Sequence, residues 1–114
     1  MILKVFLEDQ TYPIEIPDFI VSDAEDFFSY LDKDMDQGWQ MSQFWVDAPD
    51  NYQRCQIVAD KLLTALNNDE QKTGVMLAAY ILNRLPGTTD LHLSVSGDMN
   101  EHVISGADSW TSRE

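Results

Sequence analysis

Three aspartates at alternate positions, closely followed by three large aromatic side chains, are the residues of this chain whose types and spacing best fit a chemical role. The aspartates are Asp32, Asp34 and Asp36, and the aromatic residues are Trp39, Phe44 and Trp45. Carboxylates can steer and pair with Lys or Arg, and aromatic side chains anchor many protein interfaces. We therefore predict that residues 32–45, the acidic–aromatic segment, bind another protein that carries a basic surface.

The same aspartates conflict with the helix that the surrounding sequence predicts. Ser22 and Glu25 have the spacing of a capping box, which predicts where this helix begins, and Gly38 predicts where it ends. Carboxylates in the last turn of a helix oppose its macrodipole, at a cost of about 0.3–1 kcal/mol for each exposed charge. Either the helix ends before Asp32, or positive side chains offset these carboxylates.

The acidic–aromatic segment also has a purely structural interpretation, in which the aspartates form a solvated rim and the aromatic side chains fill the core. For Phe44 we expect the core. Trp39 and Trp45 fit either location, because tryptophan is rarely fully buried.

Acids at alternate positions are also typical of a calcium loop, because Ca²⁺ prefers oxygen ligands. An EF-hand needs glycine at loop position six and a bidentate glutamate at position twelve. Counted from Asp32, Gly38 falls at position seven and Gln43 occupies position twelve. These departures argue against an EF-hand, and we predict no metal site and no cofactor.

Residues suited to catalysis are few, since the sequence contains no glycine-rich phosphate loop, no G-x-S-x-G and no H-E-x-x-H. His92 and His102, with Asp90 and Glu101 nearby, could form a two-histidine metal site, although strand histidines flanked by serines are more typical of a plain surface. Cys55 lies on the apolar face of a predicted helix, as expected for a buried structural thiol. We therefore expect no catalytic residues, and a metal-binding protein or small enzyme is a lesser alternative.

The net charge of −13 is the strongest compositional signal, and it is unevenly spread. Residues 1–50 hold twelve acids and two bases, a balance of −10, and residues 51–114 hold eight acids and five bases, a balance of −3. An acidic surface repels phosphate backbones, so we expect no direct nucleic-acid binding. A small acidic protein can instead mimic nucleic acid and inhibit a basic protein, which is the alternative function.

The helix predicted for residues 74–85, GVMLAAYILNRL, is apolar on nearly all sides, which is typical of a helix at the centre of a domain. Its 12 residues are too few to cross a membrane, which takes about 20. The N-terminus has no signal-peptide pattern, so we expect a cytoplasmic protein without membrane contact. We expect one domain over residues 1–104 and a mobile tail over residues 105–114.

The remaining elements predict an α+β fold with an N-terminal β-hairpin, three helices and one or two C-terminal strands. In the hairpin, residues 2–7 and 12–16 flank a four-residue loop, and Leu3 faces Ile16. Pro13 has no N–H to donate, which indicates an edge strand.

Two more elements complete the prediction. Asp50 or Asn51 caps an amphipathic helix that precedes the central one. Residues 91–95 alternate apolar and polar side chains, which predicts a half-buried strand with Val103 opposite Val95.

Overall fold

The computed structural model describes residues 1–106 of the chain and confirms the α+β class. The described strands are β1 (Ile2–Leu7), β2 (Gln10–Glu15), β3 (Trp39–Met41), β4 (Phe44–Val46), β5 (Thr88–Leu93) and β6 (Val103–Gly106). The described helices are α1 (Asp18–Asp23), α2 (Glu25–Met35), α3 (Asn51–Asn67) and α4 (Gln71–Arg84). A 3-10 turn at Met99–Glu101 lies between β5 and β6.

Four of the strands form one sheet in the order β2–β1–β5–β6, in which β1 is antiparallel to β2 and parallel to β5. The predicted N-terminal hairpin is present, but its predicted register is wrong by two residues, because Leu3 faces Ile14 and Val5 faces Tyr12. A two-residue turn that begins at Glu8, with φ 58°, replaces the predicted four-residue loop. A register shift of two residues leaves each side chain on the same face of the sheet, so Leu3 and Val5 are still fully buried.

Pro13 lies on an edge strand of this sheet, as predicted. Main-chain hydrogen bonds join Met1 and Ile16 in both directions, at 2.7 and 2.8 Å. Hydrogen-bonded and non-hydrogen-bonded pairs alternate along antiparallel strands, so Pro13, opposite Lys4, occupies a non-hydrogen-bonded position. Its nitrogen therefore faces the free edge, where the missing N–H interrupts no bond within the sheet.

Helices α3 and α4 pack against each other and cover one face of the sheet. The predicted central helix is α4, in which Tyr80 and Ile81 are fully buried. Asp50 caps α3, because its carboxylate accepts the N–H of Gln53 at 2.8 Å and its own N–H donates to the Gln53 side chain at 2.9 Å. This reciprocal capping box fixes where α3 begins.

Two predicted local features are wrong. Ser22 does not cap α2, because it belongs to the additional short helix α1, and α2 begins after Ala24 without a side-chain cap. Val95 does not face Val103, because β5 ends at Leu93 and the 3-10 turn then changes the direction of the chain.

The described part of the chain ends within the sheet, since β6 includes Ser105 and Gly106. The rest of the predicted tail, residues 107–114 with Trp110, lies outside the described residues. Among residues 1–106, no helix combines the length and the apolar character needed to cross a lipid bilayer.

Candidate protein-binding surface

Asp32 lies in the last turn of α2, and three side chains from α3 and α4 hold its carboxylate. Arg84 donates to Oδ2 from Nε at 3.1 Å and from Nη2 at 2.6 Å. Arg54 Nη1 donates to Oδ1 at 3.3 Å, and the Tyr80 hydroxyl donates to the same oxygen at 2.5 Å. Positive side chains therefore offset the carboxylate that opposes the helix dipole, which is one of the two solutions that the sequence allowed.

Two exposed carboxylates extend this cluster. Arg84 Nη2 lies 3.0 Å from a Glu25 oxygen, and Arg54 Nη2 lies 2.7 Å from an Asp36 oxygen. Arg54 also donates to the main-chain carbonyl of Pro49 at 3.0 Å, just before α3. The cluster consists of Glu25, Asp32, Asp36, Arg54, Tyr80 and Arg84.

Opposing effects set the pKa of Asp32, whose side chain is 26% exposed. Burial alone would raise the pKa of this carboxyl, but hydrogen bonds from Tyr80 and Arg84 and the charge of Arg84 hold it below its ordinary value. Burial and the bond to Asp32 raise the pKa of the Tyr80 hydroxyl, which therefore stays protonated and donates. Asp32 is thus an ionised residue that joins α2 to α3 and α4.

Asp34 and Asp36 differ from Asp32 because both are exposed to solvent. The Asp34 side chain makes no hydrogen bond or ion pair with any residue of the range 1–106. Asp36 pairs with Arg54, yet its side chain is 60% exposed. Of the three predicted aspartates, these two have carboxylates that a partner can reach.

The aromatic half of the acidic–aromatic segment forms a second, two-stranded sheet of β3 and β4. Met41 faces Phe44 across this hairpin, and Trp39 faces Val46. Met41 is fully buried and Trp39 is half-buried against the core, where the Lys61 ammonium lies 4.8 Å from the centroid of its ring. The inner strand β3 therefore attaches the hairpin to the domain.

Polar contacts also tie the turn of this hairpin to the connection between β5 and β6. Ser42, at φ 61°, begins the turn, and its hydroxyl accepts the Met99 N–H at 2.9 Å and donates to the Gly97 carbonyl at 3.3 Å. The Asn100 side chain donates to the Met41 carbonyl at 3.1 Å. These bonds hold the hairpin in one position relative to the larger sheet.

Phe44 and Trp45 are the exposed aromatic side chains of the hairpin, at 67% and 57% of their full accessible areas. The expectation that Phe44 belongs to the core is wrong, because Phe44 lies on β4, the strand of this hairpin that contains no buried residue. The Trp45 indole N–H donates to Asp47 at 2.6 Å, which fixes the orientation of this ring. Both rings are therefore exposed to solvent on a hairpin that is attached to the domain.

Gly38 is required where α2 turns into β3, because its φ is +99° and the Trp45 ring covers it. A Cβ at this position would lie 2.4 Å from a ring carbon of Trp45. We expect Gly38→Ala to lower the free energy of unfolding by about 1–3 kcal/mol, the usual cost of one strained residue. Thermal unfolding measures the loss, and the Trp45 indole N–H resonance should shift because the ring must move. An unchanged resonance would contradict the packing of Trp45 on Gly38.

The two histidines lie on opposite faces of the sheet, which separates the ligands of the conceivable two-histidine metal site. His102 is 1% exposed on the helix side, where its Nδ1 accepts the Ser94 N–H at 3.0 Å and its Nε2 lies 3.1 Å from Asp60. His92 stacks on Phe6 on the other face, with 4.7 Å between ring centroids. Within residues 1–106, no three His, Cys, Asp or Glu side chains are grouped to hold a metal ion.

Cys55 is a free, fully buried thiol on the inner face of α3, where the sequence predicts it. Burial raises the pKa of this thiol, so the nucleophilic thiolate is disfavoured.

Sequence reasoning missed the residues that hold Asp32, namely Arg54, Tyr80 and Arg84. The signal was present, because a carboxylate in the last turn of a helix needs a cation and the chain has only three arginines. Two of these arginines reach one carboxylate because α2 packs against the ends of α3 and α4. No local sequence pattern predicts this packing.

No protein-family model matches the chain, and neither a curated protein nor a solved structure shows significant similarity to it.

Proposed function

We propose that this chain is a non-catalytic, cytoplasmic module that binds another protein through the β3–β4 hairpin. Phe44 and Trp45 are the anchors, and Asp34 and Asp36 are the steering charges. The observation that carries the proposal is the exposure of two adjacent aromatic side chains, 67% and 57%, on one short hairpin. Aromatic residues are enriched at interface centres, where they contribute most of the binding energy.

The attachment of the hairpin supports this proposal. Main-chain and side-chain bonds to Ser42 and Asn100, and the burial of Met41, hold the hairpin before any partner arrives. A pre-organised anchor loses less conformational entropy on binding than a mobile one, so more of its contact energy contributes to affinity.

The arrangement of the two rings indicates the shape of the partner. Adjacent residues of a strand point to opposite faces, so Phe44 and Trp45 flank the hairpin rather than forming one flat patch. A partner that contacts both rings must receive the edge of the hairpin in a cleft. The exposed carboxylates of Asp34 and Asp36 favour basic residues beside that cleft.

Capture from a lysate of the source organism tests the proposal, with the immobilised chain as bait. The Phe44→Ser/Trp45→Ser variant should lose a protein that the wild type retains. The matched control is Phe19→Ser/Tyr30→Ser, which removes aromatic side chains that are 64% and 71% exposed elsewhere on the surface. Equal retention by wild type and hairpin variant, or equal loss from both variants, would contradict the hairpin as the anchor.

The same experiment distinguishes binding through the hairpin from the alternative function, nucleic-acid mimicry. A mimic should be displaced from its partner by added DNA or RNA, because both would occupy the same basic groove. A protein that binds through the hairpin should be retained under those conditions.

A further inference from the structure

A groove lies between the free edge of β2 and the turn that joins α3 to α4, and it shares no residue with the β3–β4 hairpin. Its volume is about 370 Å³. Ile14 from β2, Leu66 from α3 and Val75 from α4 line its floor, and all three are half-buried against the core. The floor is therefore apolar and continuous with the interior of the domain.

The rim of the groove carries charges of one sign. Glu15, Asp69 and Glu70 line the groove, and no Lys, Arg or His side chain of the described residues does so. Glu15 lies 3.6 Å from the N-terminal ammonium, whereas Asp69 and Glu70 make no ion pair within residues 1–106. An apolar floor bordered by Asp69 and Glu70, two carboxylates without an ion pair in the described residues, is complementary to a segment with apolar side chains on one face and cations beside them.

The free edge of β2 indicates which secondary structure that segment adopts. Pro13 leaves the centre of the edge without an N–H donor, so an added strand could not form a continuous ladder there. A helix satisfies its own main-chain groups and needs only its side chains to bind. We propose that this groove binds a basic amphipathic helix of a partner protein, with aliphatic side chains on the floor and Lys or Arg on the rim.

A designed helical peptide tests this proposal, with leucines at positions i, i+3, i+4 and i+7 and lysines elsewhere. Titration into the ¹⁵N-labelled chain should shift the amide resonances of Ile14, Leu66 and Val75. A scrambled peptide of the same composition should bind more weakly, because its leucines no longer share one face. Equal affinity of the two peptides, shifts confined to other regions, or no binding would overturn the proposal.

A matched pair of variants separates the rim charges from the overall acidity. The Asp69→Asn/Glu70→Gln variant should weaken the binding of the peptide about fivefold, since two rim contacts lose their charge. Asp9→Asn/Asp26→Asn, with the same change in net charge at exposed sites outside the groove, should weaken it by less than about twofold. Equal weakening would show that bulk charge alone attracts the peptide and would overturn the proposal.

The rim variant should fold normally. Asp69 has a φ of 57°, a conformation that asparagine adopts readily, and the Glu70 side chain makes no capping bond to α4. The Phe44→Ser/Trp45→Ser variant should bind the peptide as the wild type does, so failure of the groove and failure of the hairpin are distinguishable.

Discussion

Replacing Asp32 with asparagine is expected to lower the free energy of unfolding by about 2–4 kcal/mol at neutral pH. The substitution keeps the size of the side chain but removes the charge that faces Arg54 and Arg84. The side chains of Arg54 and Arg84 are both less than a fifth exposed, so water cannot fully replace the lost carboxylate as a hydrogen-bond acceptor. Urea unfolding monitored by circular dichroism measures the loss.

Asp34→Asn is the control, because it makes the same chemical change two positions away, at an exposed side chain that contacts no hydrogen-bond or ion-pair partner within residues 1–106. We expect the free energy of unfolding to change by no more than about 0.5 kcal/mol. Similar losses in the two variants would contradict the structural role of Asp32, because they would reflect the general cost of an amide in this helix.

The lowered pKa of Asp32 also predicts how this difference depends on pH. A carboxyl whose pKa is lower in the folded state than in the unfolded state stabilises the fold fully only above the unfolded value, about 3.9 for Asp. That stabilisation is lost as the pH falls through the native pKa. The difference between wild type and Asp32→Asn should therefore be largest at neutral pH and decrease below about pH 4. A difference that grows on acidification would contradict the ion pairing.

The second large effect is expected on the affinity of the hairpin for its partner, measured with the partner that the lysate capture identifies. We expect Phe44→Ala and Trp45→Ala each to weaken its affinity by about 2 kcal/mol or more, which is about 30-fold. The loss should lie mainly in the dissociation rate, because buried anchors hold a formed complex rather than guide its formation. Surface plasmon resonance measures both rate constants.

Asp34→Asn/Asp36→Asn provides the contrasting variant for the same measurement. Exposed charges act mainly on the association rate and on its salt dependence. We expect slower association at low salt, a difference that diminishes as salt is added, and a nearly unchanged dissociation rate. An association rate that does not respond to these substitutions would contradict the steering role of the two aspartates.

Much of this fold could be predicted from patterns among residues that are close together in the sequence. The apolar stretch at residues 74–85 predicted the central helix, the capping pattern at Asp50 predicted where α3 begins, and Pro13 predicted an edge strand. Each depends on residues close together in the chain, so local physical rules suffice.

Features that depend on packing between distant segments could not be predicted in the same way. The parallel pairing of β1 with β5 joins strands about 85 residues apart, and no local pattern specifies it. The exposure of Phe44 depends on where the hairpin lies relative to Met41 and the β5–β6 connection. The partners of Asp32 depend on how α2 crosses α3 and α4.

Site-specific photo-cross-linking tests the central proposal most directly. A photoreactive phenylalanine analogue at position 44 replaces one exposed aromatic side chain with another, and the same analogue at Phe19 is the control, since both sites are more than 60% exposed. We predict that irradiation in lysate of the source organism joins a partner protein to position 44 and not to position 19. Cross-linking from position 19 alone, or none from position 44 while the wild type still captures a partner, would contradict binding through the hairpin.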